Sequence, residues 1–193
     1  MKSILTAVFA GTVLFHVPVF AAEVEGVKLA DKVQLGGAEL VLNGAGVRTR
    51  IFFKVYVGAL YLQKETGSAD AVLADAGTKR VAMHLLRELG SEQLFTALKE
   101  GLADNHSPEQ VAKFEPQVKH MEKIFFAIKS AKKGDAIMLD YLPRAGMRIV
   151  LNSEEKGTVA GADFYRALLR IWLGEKPVDA SLKKAMLGAS AGH

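Results

Sequence analysis

The stretch from Gly44 to Leu62 decides the predicted fold, and it reads G-A-G-V-R-T-R-I-F-F-K-V-Y-V-G-A-L-Y-L. Its glycine-rich start predicts a corner, and the alternation that follows predicts one long strand, because successive side chains of a strand point to opposite faces. One parity is almost entirely apolar. The other parity includes Arg48 and Tyr56, which are therefore predicted to share a face. Such a strand could serve as a wall of a binding site as well as a part of the core.

The elements around this stretch predict an α+β fold, in which an antiparallel open-faced sheet is covered on one face by a helical layer. Hydrophobic periodicity and turn signals set the boundaries. Ser68 and Ser107 are predicted helix caps, and Pro116 is predicted to break a helix or begin one. The remaining predicted strands are Val24–Leu29, Ala38–Leu42, Lys79–Leu89, Asp135–Leu142, Gly146–Asn152 and Lys156–Ala160, and the helices are Ser68–Ala76, Ser91–Asn105, one from Ser107, Gln117–Ser130 stopped by Gly134, Ala162–Leu173 and Ala180–Leu187.

The first 21 residues have the pattern of a secretory signal, with Lys2 followed by an apolar run from Ile4 to Phe20. We expect cleavage before Ala22, a single domain over residues 22–193, and a periplasmic or secreted bacterial protein. The alternative is an uncleaved membrane anchor, for which the run is short. That segment would be the only contact with a membrane that the sequence predicts.

Composition and motifs exclude several classes of function. The chain has no cysteine and a net charge of only +4, so thiol chemistry is excluded and nucleic acid is not an expected partner. Nucleotide-binding, hydrolase and zinc-protease motifs are absent. The histidines His84, His106 and His120 lack the spacing of metal ligands. The sequence therefore predicts neither a metal nor a cofactor.

Two stretches resemble the chalcone isomerase-like family: the one quoted above and G-T-V-A-G-A-D-F-Y-R-A-L-L-R-I-W-L-G over residues 157–174, followed by E-K-P-V-D. The resemblance implies a sheet covered by helices, with a ligand cleft between them. Arg48 stands where the family places its pocket arginine, and Arg50 is the competing candidate. Tyr56 stands where plant isomerases place a hydroxyl-bearing threonine.

Other cleft positions of the resemblance are apolar here, and this decides the functional expectation. The predicted lining includes Phe114, Ile171 and Trp172, and the polar set of the plant isomerases is incomplete. We therefore expect a non-catalytic binder of a fatty-acid-like or other hydrophobic small molecule, with Arg48 pairing its carboxylate. One alternative is an isomerase of the intramolecular lyase type that uses Arg48 and Tyr56. A second is a structural or partner-binding protein whose cleft is filled by its own side chains.

Overall fold

The computed structural model describes residues 20–188. The predicted signal segment therefore lies almost wholly outside the described residues, as do residues 189–193. The strands are β1 (Phe20–Val24), β2 (Val27–Ala30), β3 (Lys32–Leu35), β4 (Ala38–Arg50), β5 (Phe53–Leu62), β6 (Lys79–Leu85), β7 (Leu89–Gly90), β8 (Ser130–Ala131), β9 (Ala136–Leu142), β10 (Gly146–Leu151) and β11 (Glu154–Val159). The helices are α1 (Ala69–Ala74), α2 (Ser91–Asn105), α3 (Pro108–Lys113), α4 (Glu115–Ile128), α5 (Ala162–Leu173) and α6 (Ala180–Met186).

Seven strands form one antiparallel sheet in the order β11-β10-β9-β6-β5-β4-β3. The helices pack on one face, where the main core joins residues such as Leu60, Val81 and Leu139 of the sheet to Phe164 and Leu168 of α5. The predicted α+β architecture is confirmed. Antiparallel strands can leave one face open, but here part of the opposite face is covered as well.

The opposite face carries a second, smaller core beneath the β1–β2 hairpin. Leu29 of β2 packs there with Val57, Ala59 and Tyr61 of β5. These three residues belong to the apolar parity that the sequence indicated. β1 begins at Phe20 and pairs with β2, so cleavage before Ala22 would remove its first two residues.

The prediction of one strand from Gly44 to Leu62 is wrong, because the chain reverses at Ile51 and Phe52. Arg50 pairs with Phe53 across this two-residue turn, and β4 then runs antiparallel to β5. Two-residue hairpin turns are usually recognised in a sequence by Asn-Gly or Asp-Gly, because such turns need positive φ angles. This turn instead places Ile51 at φ 60°. An isoleucine is disfavoured in that conformation, which is why the sequence reads through the turn as continuous strand.

The predicted glycine corner is also wrong: Gly44 and Gly46 lie inside β4 and allow α6 to approach the strand. A Cβ on Gly44 would lie 2.1 Å from the carbonyl oxygen of Ala185, and a Cβ on Gly46 would lie 2.6 Å from the Cβ of Ala185. Asn43, at an irregularity in the β4–β5 pairing, is buried. Its amide donates to the carbonyl of Met186 at 2.8 Å. The glycines therefore serve helix–sheet packing, which fixes the position of α6 beside the site.

Most of the other predicted elements are present. Ser68 and Ser107 cap α1 and α3, and Asp179 caps α6. α4 starts at Glu115, and it ends at Ile128, where Lys129 has a φ of 66°, instead of continuing toward Gly134. Within residues 20–188, no helix combines the length and apolarity that crossing a bilayer requires.

Candidate functional site

The site is built on Arg48 and Tyr56, which are direct partners across β4 and β5. Cross-strand partners point their side chains to the same face, here toward the helices. The Arg48 guanidinium carbon lies 5.7 Å from the centroid of the Tyr56 ring. From the helical layer, the Trp172 indole of α5 donates a hydrogen bond of 2.9 Å to the Tyr56 hydroxyl. This bond ties the site's strand pair to α5.

Arg48 differs from the other partly buried arginines of the sheet because it has no carboxylate partner among the residues that the structure describes. Arg80 and Arg148 both pair with the buried Asp140. Arg48 forms no ion pair within residues 20–188, and its Nε is buried without a hydrogen-bond partner. The nearby Asp179 carboxylate instead accepts from the backbone N–H of Thr49 at 3.0 Å and caps α6. Burying an unpaired cationic donor is costly, so this guanidinium is suited to an anion that is bound reversibly.

A cavity of about 500 Å³ lies in front of these residues, between the sheet and the helices. Its volume is within the range of small-molecule sites. The apolar part of its lining combines four strands with α2, α4, α5 and the segment before α6, and it includes Val55, Met83, Leu89, Leu94, Leu98, Met121, Phe125, Leu139, Ile171, Trp172 and Val178. Ile51 and Phe53 of the β4–β5 hairpin also belong to it. The exposed polar residues of the lining are Arg50, Arg87, Glu88, Glu92, Gln93, Thr96 and Glu100. The cavity is therefore a mostly apolar chamber with a polar, solvent-facing entrance.

The Tyr56 phenol stays neutral over the ordinary pH range. Burial raises its pKa to about 12, and this outweighs the opposing effects of the Arg48 charge and the Trp172 hydrogen bond. A neutral phenol can accept from Trp172 and still donate its own proton into the cavity. Tyr56 is therefore equipped to orient a ligand oxygen beside Arg48.

We expect Tyr56→Phe to remove one component of the pH dependence of stability. The folded protein keeps this phenolic proton to a higher pH than the unfolded chain does. The stabilisation is therefore present below about pH 10 and is lost as the pH rises toward 12. The substitution should also cost about 1–3 kcal/mol near neutral pH, because the buried Trp172 N–H loses its acceptor. Urea unfolding of both proteins across this range measures the difference; parallel stability curves would contradict the assignment.

Four of the five sequence-predicted site residues line the cavity, and one does not. Arg48, Tyr56, Ile171 and Trp172 are brought together there. Phe114 is not part of the lining, which corrects the prediction. It ends α3, and its ring packs against Phe164 and His106, with centroids 5.6 and 6.4 Å away. The break between α3 and α4 lies at Phe114 itself, and Pro116 stands in the first turn of α4.

The sequence reading missed the wall that α2 contributes. Leu94 and Leu98 recur at helical spacing, which indicated a buried face but not that this face borders a cavity. Arg50, the competing candidate, lies at the exposed end of β4 and joins Arg87 at the entrance. Gly101 lets α2 approach α5 closely, since a Cβ there would lie 2.8 Å from the Ile171 side chain.

Within the part of the chain that the structure describes, no group of three potential metal ligands occurs.

Comparison with known proteins identifies relatives of this arrangement. The family described as chalcone isomerase-like matches residues 21–188. The crystal structure of a fatty-acid binding protein of Arabidopsis thaliana is similar, with a TM-score of 0.66 and 13% sequence identity over 84% of this chain and 92% of that one. At such low identity the likeness establishes the fold. No curated protein matches the sequence significantly.

Proposed function

The chain belongs to the chalcone isomerase-like family, and we propose that it is a non-catalytic binder of a fatty-acid-like carboxylate, held with its head group at Arg48. The observation that carries this proposal is the unpaired guanidinium at the wall of an apolar cavity. A solved structure of similar fold is a fatty-acid binding protein, which supports the same ligand class.

The hydrogen-bond donors around Arg48 indicate that the head group of the ligand is a carboxylate. A guanidinium presents a planar fork that matches the two oxygens of a carboxylate. The Tyr56 ring lies 5.7 Å from the Arg48 guanidinium carbon and lines the same cavity, and its hydroxyl is proposed to add a neutral donor to the same anion. A carboxylate here would satisfy the buried Nε that has no partner among the described residues. An anion with an apolar tail therefore fits better than a neutral polar molecule.

The rest of the cavity indicates that the tail of the ligand is apolar. Side chains from the sheet, such as Val55 and Leu139, face others from the helices, such as Leu98 and Phe125. Transfer of an acyl chain into such surroundings stabilises the complex by about 0.8 kcal/mol for each methylene buried. The structural alternative requires a cleft filled by the chain's own side chains, and a cavity of about 500 Å³ counts against it.

The isomerase alternative needs more polar groups than this cavity provides. Its reaction requires a phenolate to be oriented and developing charge to be stabilised. Arg48 and the Tyr56 hydroxyl, whose oxygen accepts from Trp172 and whose proton can still be donated, supply only part of this. The lining carboxylates, Glu88, Glu92 and Glu100, are all exposed. The geometry therefore favours binding over catalysis.

We further propose that the protein acts in the periplasm or outside the cell, on the basis of the signal-like segment before Ala22. A compartment between membranes suits a carrier of poorly soluble acids. The intact mass of protein taken from the periplasm tests this point, because cleavage would shorten the chain at its start.

The experiment that tests binding is native mass spectrometry of the purified protein, followed by titration with dodecanoic acid. We expect a released organic acid in the first measurement and one-to-one binding in the second. Protein that carries no acid and does not bind dodecanoic acid would refute the proposal. A chalcone cyclisation assay with wild type and Arg48→Ala tests the alternative, and an Arg48-dependent rate would favour the isomerase.

A further inference from the structure

The tip of the β4–β5 hairpin exposes three consecutive large apolar side chains. Ile51 is 78% exposed, Phe52 is 90% exposed and Phe53 is 59% exposed. These are the three most exposed large hydrophobic residues of residues 22–188; the fourth, Phe126, is 47% exposed and lies on α4. Contiguous apolar residues on a projecting turn mark an interaction surface more often than scattered ones do.

The backbone of this tip is strained at Ile51. Ile51 has a φ of 60°, a conformation that glycine or asparagine adopts at much lower cost. Neither burial nor packing explains a β-branched residue there, since the side chain faces solvent. Strain of this kind in an exposed turn points to a role for the side chain.

Cations surround the tip. Arg50 and Lys54 flank it in sequence, and no acidic residue occurs between Glu39 and Glu65. Arg87 lies over the Phe53 ring, with its guanidinium carbon 4.9 Å from the centroid. Glu25 pairs with Lys54 at 2.7 Å, and Glu88 and Glu92 also line the cavity. The tip itself thus combines apolar side chains with positive charge, as interfacial membrane segments do.

We propose that the β4–β5 tip docks on the surface of a bilayer that contains anionic phospholipid. Phe52 and its neighbours would enter the interfacial layer while Arg50 and Arg87 contact the phosphates. Ile51, Phe53, Arg50 and Arg87 also line the cavity, so the docked tip would set the cavity entrance against the lipid. Docking itself is independent of the ligand; the corollary that an acyl chain passes directly between bilayer and cavity rests on the proposed function.

The absence of cysteine permits a probe placed at the tip alone. Phe52→Cys, labelled with an environment-sensitive fluorophore, reports whether the tip enters the lipid, whatever the N-terminal segment does. We expect a blue shift and increased emission with vesicles of phosphatidylglycerol and phosphatidylcholine, and a much weaker response with phosphatidylcholine alone or at high salt. The matched control is Phe126→Cys with the same label, which should not respond.

A second variant separates docking from labelling. We expect Phe52→Asp to lower the vesicle affinity of the protein by about tenfold or more, because an aromatic contact is replaced by a charge that anionic lipid repels. Phe52 does not line the cavity, so dodecanoic acid should bind this variant as it binds wild type in vesicle-free solution. An unresponsive Phe52 probe, or equal vesicle binding of wild type and Phe52→Asp, would overturn the proposal. So would a dimer that depends on Phe52 without any vesicle response.

Discussion

Arg48→Ala is expected to weaken the binding of dodecanoic acid by roughly 10- to 100-fold, the effect of losing charged hydrogen bonds to a carboxylate in a partly buried site. Arg48 has no carboxylate partner among the described residues, so its removal leaves no charge unpaired in the empty protein. The substitution should therefore leave the free energy of unfolding nearly unchanged or increase it. Isothermal titration and urea unfolding measure the two effects separately.

A comparison of dodecanoic acid with an uncharged ligand of the same tail is the sharper control for the Arg48→Ala prediction. 1-Dodecanol has the same tail but no charge, so its affinity should fall much less when Arg48 is replaced. Arg48→Lys should restore only part of the affinity for the acid, because an ammonium does not form the planar fork. Arg144→Ala, at the exposed β9–β10 turn, serves as the matched charge control. Equal losses for acid and alcohol would show that Arg48 shapes the cavity but does not bind the head group.

Asp140→Ala is expected to destabilise the fold by about 3–5 kcal/mol, because it removes the shared partner of two partly buried arginines. Asp140 is fully buried. It accepts from Arg80 Nε at 2.5 Å, from Arg80 Nη2 at 2.8 Å and from Arg148 Nη2 at 3.1 Å. These bonds cross β6, β9 and β10, so their loss should loosen the centre of the sheet. Urea unfolding at neutral pH gives the free energy directly.

Glu155→Ala is the matched control for Asp140. Glu155 lies 3.8 Å from Arg148 at the exposed end of the same network, and its side chain is half exposed. Exposed pairs contribute about 0–1 kcal/mol, so this substitution should change stability very little. Comparable losses for Asp140→Ala and Glu155→Ala would mean that burial does not set the importance of the pair.

The two predictions assign different tasks to chemically identical side chains. Arg80 and Arg148 both pair with the Asp140 carboxylate and stabilise the sheet. Arg48, on β4, lacks such a partner and borders a cavity. Nothing in the local sequence separates these arginines, because the distinction depends on which carboxylate each strand pairing brings into reach.

Local sequence signals predicted the elements well where caps and periodicity agree. α2 and α5 have the predicted bounds, and the strands of the β9–β10 hairpin are one residue shorter at their outer ends. Two of the failures occurred where a residue serves a distant partner, and the third occurred at a turn whose residue disfavours the conformation that it adopts. Gly44 was predicted to form a corner, but it lies in a strand and leaves room for α6. Ile51 was predicted to continue a strand, but it forms a turn. Phe114 was predicted to line the cleft, but its ring packs against Phe164.

The sequence by itself determined the α+β class, since alternation and helical spacing are local properties of the chain, and two of its stretches carried the family resemblance. It predicted the shared face of Arg48 and Tyr56 from a single strand, whereas the structure produces that face by pairing β4 with β5, with an irregularity between Arg48 and Thr49. Only the tertiary structure decided how close the two residues are. On a single strand they would be about 26 Å apart, whereas the hairpin makes them neighbours. It also decided that Arg48 borders an open cavity and meets no carboxylate partner in residues 20–188. Cavities and charge pairing arise from contacts between residues distant in sequence, and no local pattern encodes them.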